Sequence, residues 1–197
     1  PEIPIRAALP AQPPRREPVL VEQLERTADT STVSEPGVPR GVRRTGRVRA
    51  TTMPVYDRFT PTLGRRLPYA YALDPGHEAA VRVLRLHGIV VERLTGDMAT
   101  QVERFTVDSV VRAPRAFQRH HEVRVEGRWS RDTRTLPAGT IVVRTGQPLS
   151  ILAAYLLEPE SDDGVTTWNF IDAALRVGEA HPVMRIAQPL AGGVAPF

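Results

Sequence analysis

"LPYAYALDPGHEAAVRVLRLHGIVVERL", residues 67–94, decides the fold class, because the apolar spacing changes twice within it. "LPYAYALDP" alternates as a half-buried strand does. Asp74 then offers a helix N-cap, with Pro75 at the first helical position, where its missing N–H costs nothing. Ala80, Val83, Leu84 and His87 follow at i, i+3, i+4 and i+7, which places them on one helical face. Gly88 supplies a stop, since glycine accepts the left-handed backbone that ends many helices. "IVVERL" resumes an extended pattern. The stretch therefore predicts a strand–helix–strand unit.

Downstream the signals are mainly β. "VERFTVDSVV" (102–111) places Phe105, Val107 and Val111 on one side. "HEVRVEGRW" (121–129) alternates cleanly, with Val123, Val125 and Trp129 facing one way and charged residues the other, as in an antiparallel strand with one wet face. "AGTIVVRT" (138–145) reads as a buried strand after a Pro-Ala-Gly turn, and "HPVMRI" (181–186) as a short final strand. "QPLSILAAYLLEP" (147–159) reads as a helix that starts near Pro148 and stops before Pro159. It is apolar almost all round, so it is expected to be buried on most sides. The last residues, "AQPLAGGVAPF", are expected to be loosely held. The fold class is α+β, a mainly antiparallel sheet with two short helices at about 77–87 and 148–157.

Residues 1–53 read differently. "PAQPPRREP" (10–18) and "SEPGVPRGVRRTG" (34–46) hold Pro, Gly and Arg at a density that opposes regular structure. "VLVEQLER" (19–26) between them suits a strand or a short helix. Such a segment lacks the apolar surface to offset chain entropy alone. The domains expected are an extended Pro/Arg-rich segment over 1–53 and an α+β accessory domain over 54–197. A start at Pro1 without methionine or an apolar leader predicts a processed product or part of a longer chain.

Composition excludes several classes. No lysine is present, so all 26 basic residues are arginine, which lifts the pI to 10.2 while the net charge is only +4. The arginines alternate with acids, as in "EVRVEGRWSRDTR" (122–134), rather than forming one basic face. Nucleic acid is therefore not an expected partner. The absence of cysteine removes disulfides and thiolate chemistry. The longest apolar run, Ile151 to Leu157, is about 10 Å long as helix, too short to span a bilayer.

Catalytic patterns are also missing. None of the five histidines has Glu or His three residues on, so neither H-E-x-x-H nor H-x-x-E occurs. In "RHHE" (119–122) the histidines would point to opposite faces of a strand and chelate nothing unless the chain kinks. No G-x-S-x-G, phosphate loop or dinucleotide fingerprint is found. No metal ligand and no catalytic residue is assigned.

"YLLEPESDDGVTTWNF" (155–170) is the richest remaining segment. Its carboxylates, Glu158, Asp162 and Asp163 among them, suit paired acids or cation ligands in principle. A structural corner is the simpler reading: Pro159 ends the helix, "SDDG" turns with Gly164 at positive φ, and Trp168 and Phe170 return to the core. Tyr155, Glu158, Asp162, Asp163, Trp168 and Asn169, with Trp129, are the ligand or interface candidates.

"MPVYDRFTPT", "LPYAYALDP", "LRLHGIVVERL", "RAFQRHHEVRVEG", "LPAGTIVVRTGQPLSILAAYLLEPESDDGVTTWNF" and "HPVMRI" follow one another over residues 50–186. In order and spacing they resemble the region after the catalytic domain in a bacterial subgroup of zinc carboxypeptidase A-like metallopeptidases. The family's zinc-binding H-x-x-E has no match, so no catalytic residue carries over. The resemblance implies a non-catalytic C-terminal accessory domain that packs on or supports a catalytic domain of the same polypeptide or of a processed partner chain. Zinc would then belong to the parent protein and not to this chain, and the location would be periplasmic or secreted. The alternative is a stand-alone β-rich module that binds peptide or glycan.

Overall fold

The computed structural model describes residues 2–13, 15–28 and 36–197. Eleven strands and two α-helices are assigned among them. β1 (Glu2–Ala8) pairs with β4 (Thr60–Arg66), and β2 (Arg15–Arg26) with β3 (Val42–Val55). The remaining strands are β5 (Ala70–Leu73), β6 (Glu92–Leu94), β7 (Met98–Arg112), β8 (Val123–Leu136), β9 (Ile141–Arg144), β10 (Ala180–Ile186) and β11 (Val194–Pro196). They form one sheet in the order β11-β6-β9-β5-β10-β7-β8, and every pairing in it is antiparallel. The helices are α1 (Glu78–Leu86) and α2 (Ser150–Leu157). The expected antiparallel sheet and two short helices are present, in a structure that is mostly β.

The strand–helix–strand unit exists as β5–α1–β6, but its strands are not neighbours. β9 inserts between them and pairs with both. Sequence order alone could not show this, because the inserted strand lies some fifty residues downstream. The helix, Glu78–Leu86, matches the expected 77–87 within a residue, but the expected cap fails. Asp74 does not cap it: Gly76 adopts φ 103°, and His77 precedes α1 without a side-chain cap. Gly88, at φ 78°, does close the helix, donating to the Arg85 carbonyl.

Side chains from both faces of the sheet are buried. Tyr71, Leu73, Phe105, Val123, Ile141 and Val143 join one apolar cluster with α1 and α2. Ala70, Ala72, Val102, Val142, Met184 and Ile186 join a second cluster on the other face. The alternation in "YAYAL" is thus large against small rather than buried against wet, and all of β5 is buried.

Two local features reset the expected faces. β7 carries a bulge: Val107 faces Gly127 but Ser109 faces Glu126, so Asp108 has no partner across the ladder. An extra residue inverts everything beyond it. Val111 is therefore exposed rather than aligned with buried Phe105 and Val107. At Gly127 a Cβ would lie 2.1 Å from the Thr106 carbonyl and 2.6 Å from the Phe105 ring, so only glycine fits there. The C-terminal residues are not all loose either, since β11 pairs with β6 at the sheet edge.

The chain divides into two units, Pro1–Ala7 with Pro61–Phe197, and Ala8–Thr60. Residues 1–53 are expected to be an extended Pro/Arg-rich segment; they hold β1, β2 and most of β3, so the boundary at 53/54 falls inside β3. "VLVEQLER" is strand. Prolines survive here because a two-stranded ribbon has two free edges, where a missing N–H breaks no ladder. Pro18 and Pro54 sit opposite Thr52 and Arg16. Positions 14, 34 and 35 of the two Pro-rich segments lie outside the described residues.

Candidate functional site: an apolar cleft and an aromatic corner

α2 has no charged residue among its eight. Ala153, Ala154, Leu156 and Leu157 are buried, yet Ile151 keeps 60% of its surface exposed. The expectation of burial on most sides is met, with Ile151 the exposed position of the helix and Ser150, Leu152 and Tyr155 half-buried. Glu158 donates its N–H to the Ala154 carbonyl and is extended, and Pro159 prevents a further turn. The chain then doubles back, with Val165 N–H bonding the Leu156 carbonyl at 2.9 Å. Gly164 permits this return by its size. Its φ is not positive, contrary to expectation, but a Cβ there would lie 2.9 Å from the Leu156 carbonyl oxygen. The positive φ belongs to Asn169, at 67°.

The return stroke and the two helices enclose a cleft of about 290 Å³, with Leu86 of α1, Leu152 and Tyr155 of α2, and Asp163, Trp168 and Phe170 in its lining. The Trp168 indole N–H donates to the Asp163 carboxylate. Partial burial, then the charges of Asp163 and Asp162, raise the Tyr155 phenol above its ordinary pKa. Leu86, 79% exposed, carries the apolar surface outward from the cleft. Leu149 lies beside Gly88, and the Val90 N–H donates to the Gln147 side chain.

One end of the cleft is an aromatic corner. His120 lies edge-on to Trp168 at 5.7 Å and beside Phe170 at 6.0 Å, and Phe117 approaches Trp168 at 6.2 Å. Phe117 and His120 form a bridge whose two central residues, Gln118 and Arg119, have φ 49° and 72°. The chain does kink at "RHHE", but no metal cluster results. Instead His120 Nδ1 lies 3.3 Å from Asn169 Oδ1, and Asn169 also donates to the His121 carbonyl. Among the described residues, the non-glycine positions at positive φ are Gln118, Arg119 and Asn169. All three meet at this corner. Such conformations cost roughly 1–3 kcal/mol each and concentrate at functional sites.

The structure thus brings together Tyr155, Asp163, Trp168 and Asn169. It does not bring in the other three candidates. Glu158 is fully buried and accepts from Arg185 Nε and from the Tyr71 hydroxyl, each at 2.8 Å. The Arg185 guanidinium lies 3.5 Å over the Trp129 ring, with Glu103 at 3.7 Å on its far end. Burial, then the Glu158 charge, pushes the Tyr71 phenol far above its ordinary pKa. Glu158 and Trp129 are thereby locked in the core. Asp162 anchors the N-terminal strand: it accepts from the Ala7 N–H at 2.9 Å, and its own N–H donates to the Ile5 carbonyl.

Several structural partners had no sequence signal. Arg185 sits in "HPVMRI", where it reads as an outward residue of a short strand. His181, in the same strand, is buried against Thr166, 3.1 Å away, and burial with the nearby His77 lowers its pKa to about 3. Arg6 reaches Glu126 at 2.7 Å and the Val125 carbonyl at 2.9 Å. The partners of both arginines lie 27 to 154 residues away in sequence. No local pattern encodes such distances.

Among the described residues no three His, Asp or Glu side chains gather to hold a metal ion. No helix among them is long and apolar enough to cross a membrane. The cleft offers apolar contact, aromatic faces and one exposed carboxylate.

Comparison with known proteins finds partial similarity to carboxypeptidases. Proteins named carboxypeptidase 2 from Trichophyton rubrum, Trichophyton tonsurans and Trichophyton equinum are each 28% identical to this chain over 137 residues. The similarity is to part of these carboxypeptidases. The aligned stretch is 70% of this chain but 24% of each relative, so the chain spans about a quarter of the length of the carboxypeptidases it matches. No family model matches the chain, and no solved structure matches it.

Proposed function

We propose that this chain is a non-catalytic accessory region of a zinc carboxypeptidase-like protein, and that it packs on the catalytic portion through the apolar α1–α2 face. The carrying observation is the similarity to carboxypeptidases over a stretch that amounts to 24% of their length. The surface supports the same reading. Large exposed apolar side chains on a folded domain mark candidate contact sites, and Leu86, Ile151 and Val90 are each more than half exposed. On this reading zinc is held by the catalytic portion, the parent belongs to the bacterial subgroup that the residue order resembles, and its location is periplasmic or secreted.

The test compares this 197-residue chain with the longer polypeptide encoded around it. The chain alone is expected to retain no stoichiometric zinc and to release no C-terminal residue from a peptide. The longer product is expected to do both. Leu86→Glu with Ile151→Glu should lower the melting temperature of the longer product while leaving the isolated chain within about 0.5 kcal/mol, because both positions are exposed there. Stoichiometric zinc on the isolated chain would overturn the reading.

The lining by Tyr155, Asp163 and Trp168 favours a second reading, a module that binds peptide or glycan in the cleft. Trp168→Phe keeps an aromatic wall and deletes the bond to Asp163. Under this reading it weakens a ligand without changing stability, and a purely structural Trp168 gives the reverse.

A further inference from the structure

We infer that the β2–β3 ribbon is a docking arm, and that its occupant is an apolar surface with an acidic rim on the remainder of the carboxypeptidase-like polypeptide. This rests on the proposed function above. The starting observation is energetic. β2 and β3 are 12 and 14 residues long and pair along nearly their whole length, yet none of their residues is buried. An isolated two-stranded ribbon is at best marginally stable in water, since it has no apolar layer to cover it.

Its composition is not that of a ribbon made for solvent. Cross-strand partners share a face, so Leu20 with Ala50, Pro18 with Thr52 and Glu22 with Val48 lie on one side. Leu20 and Val48 are diagonal neighbours there, 70% and 63% exposed. The other side carries Val19, Val21 and Met53, also exposed. An exposed apolar face of this length is a contact site or an aggregation hazard.

Charge selects the occupant. β3 contains Arg43, Arg44, Arg47 and Arg49 and no acidic residue. Arg43 and Arg44 are met by Glu25 and Glu22 of β2. Arg47 and Arg49 face no carboxylate among the described residues. A second copy of the ribbon would bring arginine against arginine, which disfavours self-pairing. An acidic surface elsewhere satisfies them, and relatives about four times the length of the matched stretch leave ample chain to supply it.

Trypsin reads this directly, because it cuts after arginine. Cleavage after Arg47 and Arg49, followed by mass spectrometry, is compared between the isolated chain and the longer polypeptide. Docking predicts at least tenfold slower cutting in the longer polypeptide. Leu20→Asp with Val48→Asp should restore cutting there to the rate of the isolated chain, with the circular dichroism melt of the larger unit unchanged. Equal rates in the two proteins overturn the inference, and so does protection that survives the double substitution. Ribbon sites already protected in the isolated chain would place the occupant on this chain itself, which also overturns it. Loss of zinc and peptidase activity in the longer polypeptide would instead defeat the proposed function, a separate readout.

Discussion

Replacing Glu158 with glutamine tests whether this acid is a working carboxylate or a core element. In the native state it receives two charge-assisted bonds from Arg185 and one from the Tyr71 hydroxyl, with no exposure to solvent. Hydrogen bonds to charged groups contribute about 1.5–3 kcal/mol each. Glutamine keeps one carbonyl acceptor but offers an NH₂ where the second guanidinium N–H points. It thus loses one such bond, weakens another and leaves the Arg185 charge short of its main partner. Breaking a buried pair from one side costs about 3–5 kcal/mol in full. Glu103 at 3.7 Å and the retained acceptor reduce that, so we expect about 2–4 kcal/mol. In a domain of this size that is a melting temperature lower by roughly 5–15 °C. Glu158→Leu with Arg185→Met removes both charges at similar volume. It should come within about 1–2 kcal/mol of wild type, since apolar replacement of a buried pair is often close to neutral. Urea unfolding followed by tryptophan fluorescence is the assay, with Trp129 against Arg185 as a local reporter. A Glu158→Gln protein within about 0.5 kcal/mol of wild type, or one that gains stability as relieved functional sites do, would refute the reasoning.

Three further outcomes follow from named contacts. The pKa of His181 is depressed from 6.5 to about 3 by burial, so the unfolded chain takes up a proton that the folded chain refuses. The stability this group contributes is complete above pH 6.5 and is lost as pH falls toward 3, amounting to about 3 kcal/mol by pH 4.5. His181→Gln should flatten that part of a pH series of urea midpoints. Gly127→Ala should cost at least about 3 kcal/mol, because its Cβ would strike the Thr106 carbonyl and the Phe105 ring, whereas Gly146→Ala, with open space around it, should stay within about 0.5 kcal/mol by thermal melting. Asp162→Asn should free β1, which hydrogen exchange at the Ala7 amide would show as faster exchange, with the cleft amides around Val165 unchanged.

The sequence by itself determined the period of each strong element. Residues 67–94, 121–129 and 138–145 declared their strands and α1, and "QPLSILAAYLLEP" declared α2, because side-chain spacing is set by backbone geometry a few residues at a time. It also shows that neither H-x-x-E nor G-x-S-x-G occurs in the chain. Four of seven candidate residues meet at the cleft because the chain doubles back after α2, while Glu158 and Asp162 of the same stretch are taken by Arg185 and by β1. Tertiary structure decided the rest. The Asp108 bulge turned Val111 to solvent, β9 separated β5 from β6, and Arg185 captured Glu158 and Trp129 from distant strands. The ribbon formed where proline seemed to forbid it, because its edges need no partner. In each case the deciding energy is a contact between residues far apart in the chain, and local spacing carries no record of such a contact.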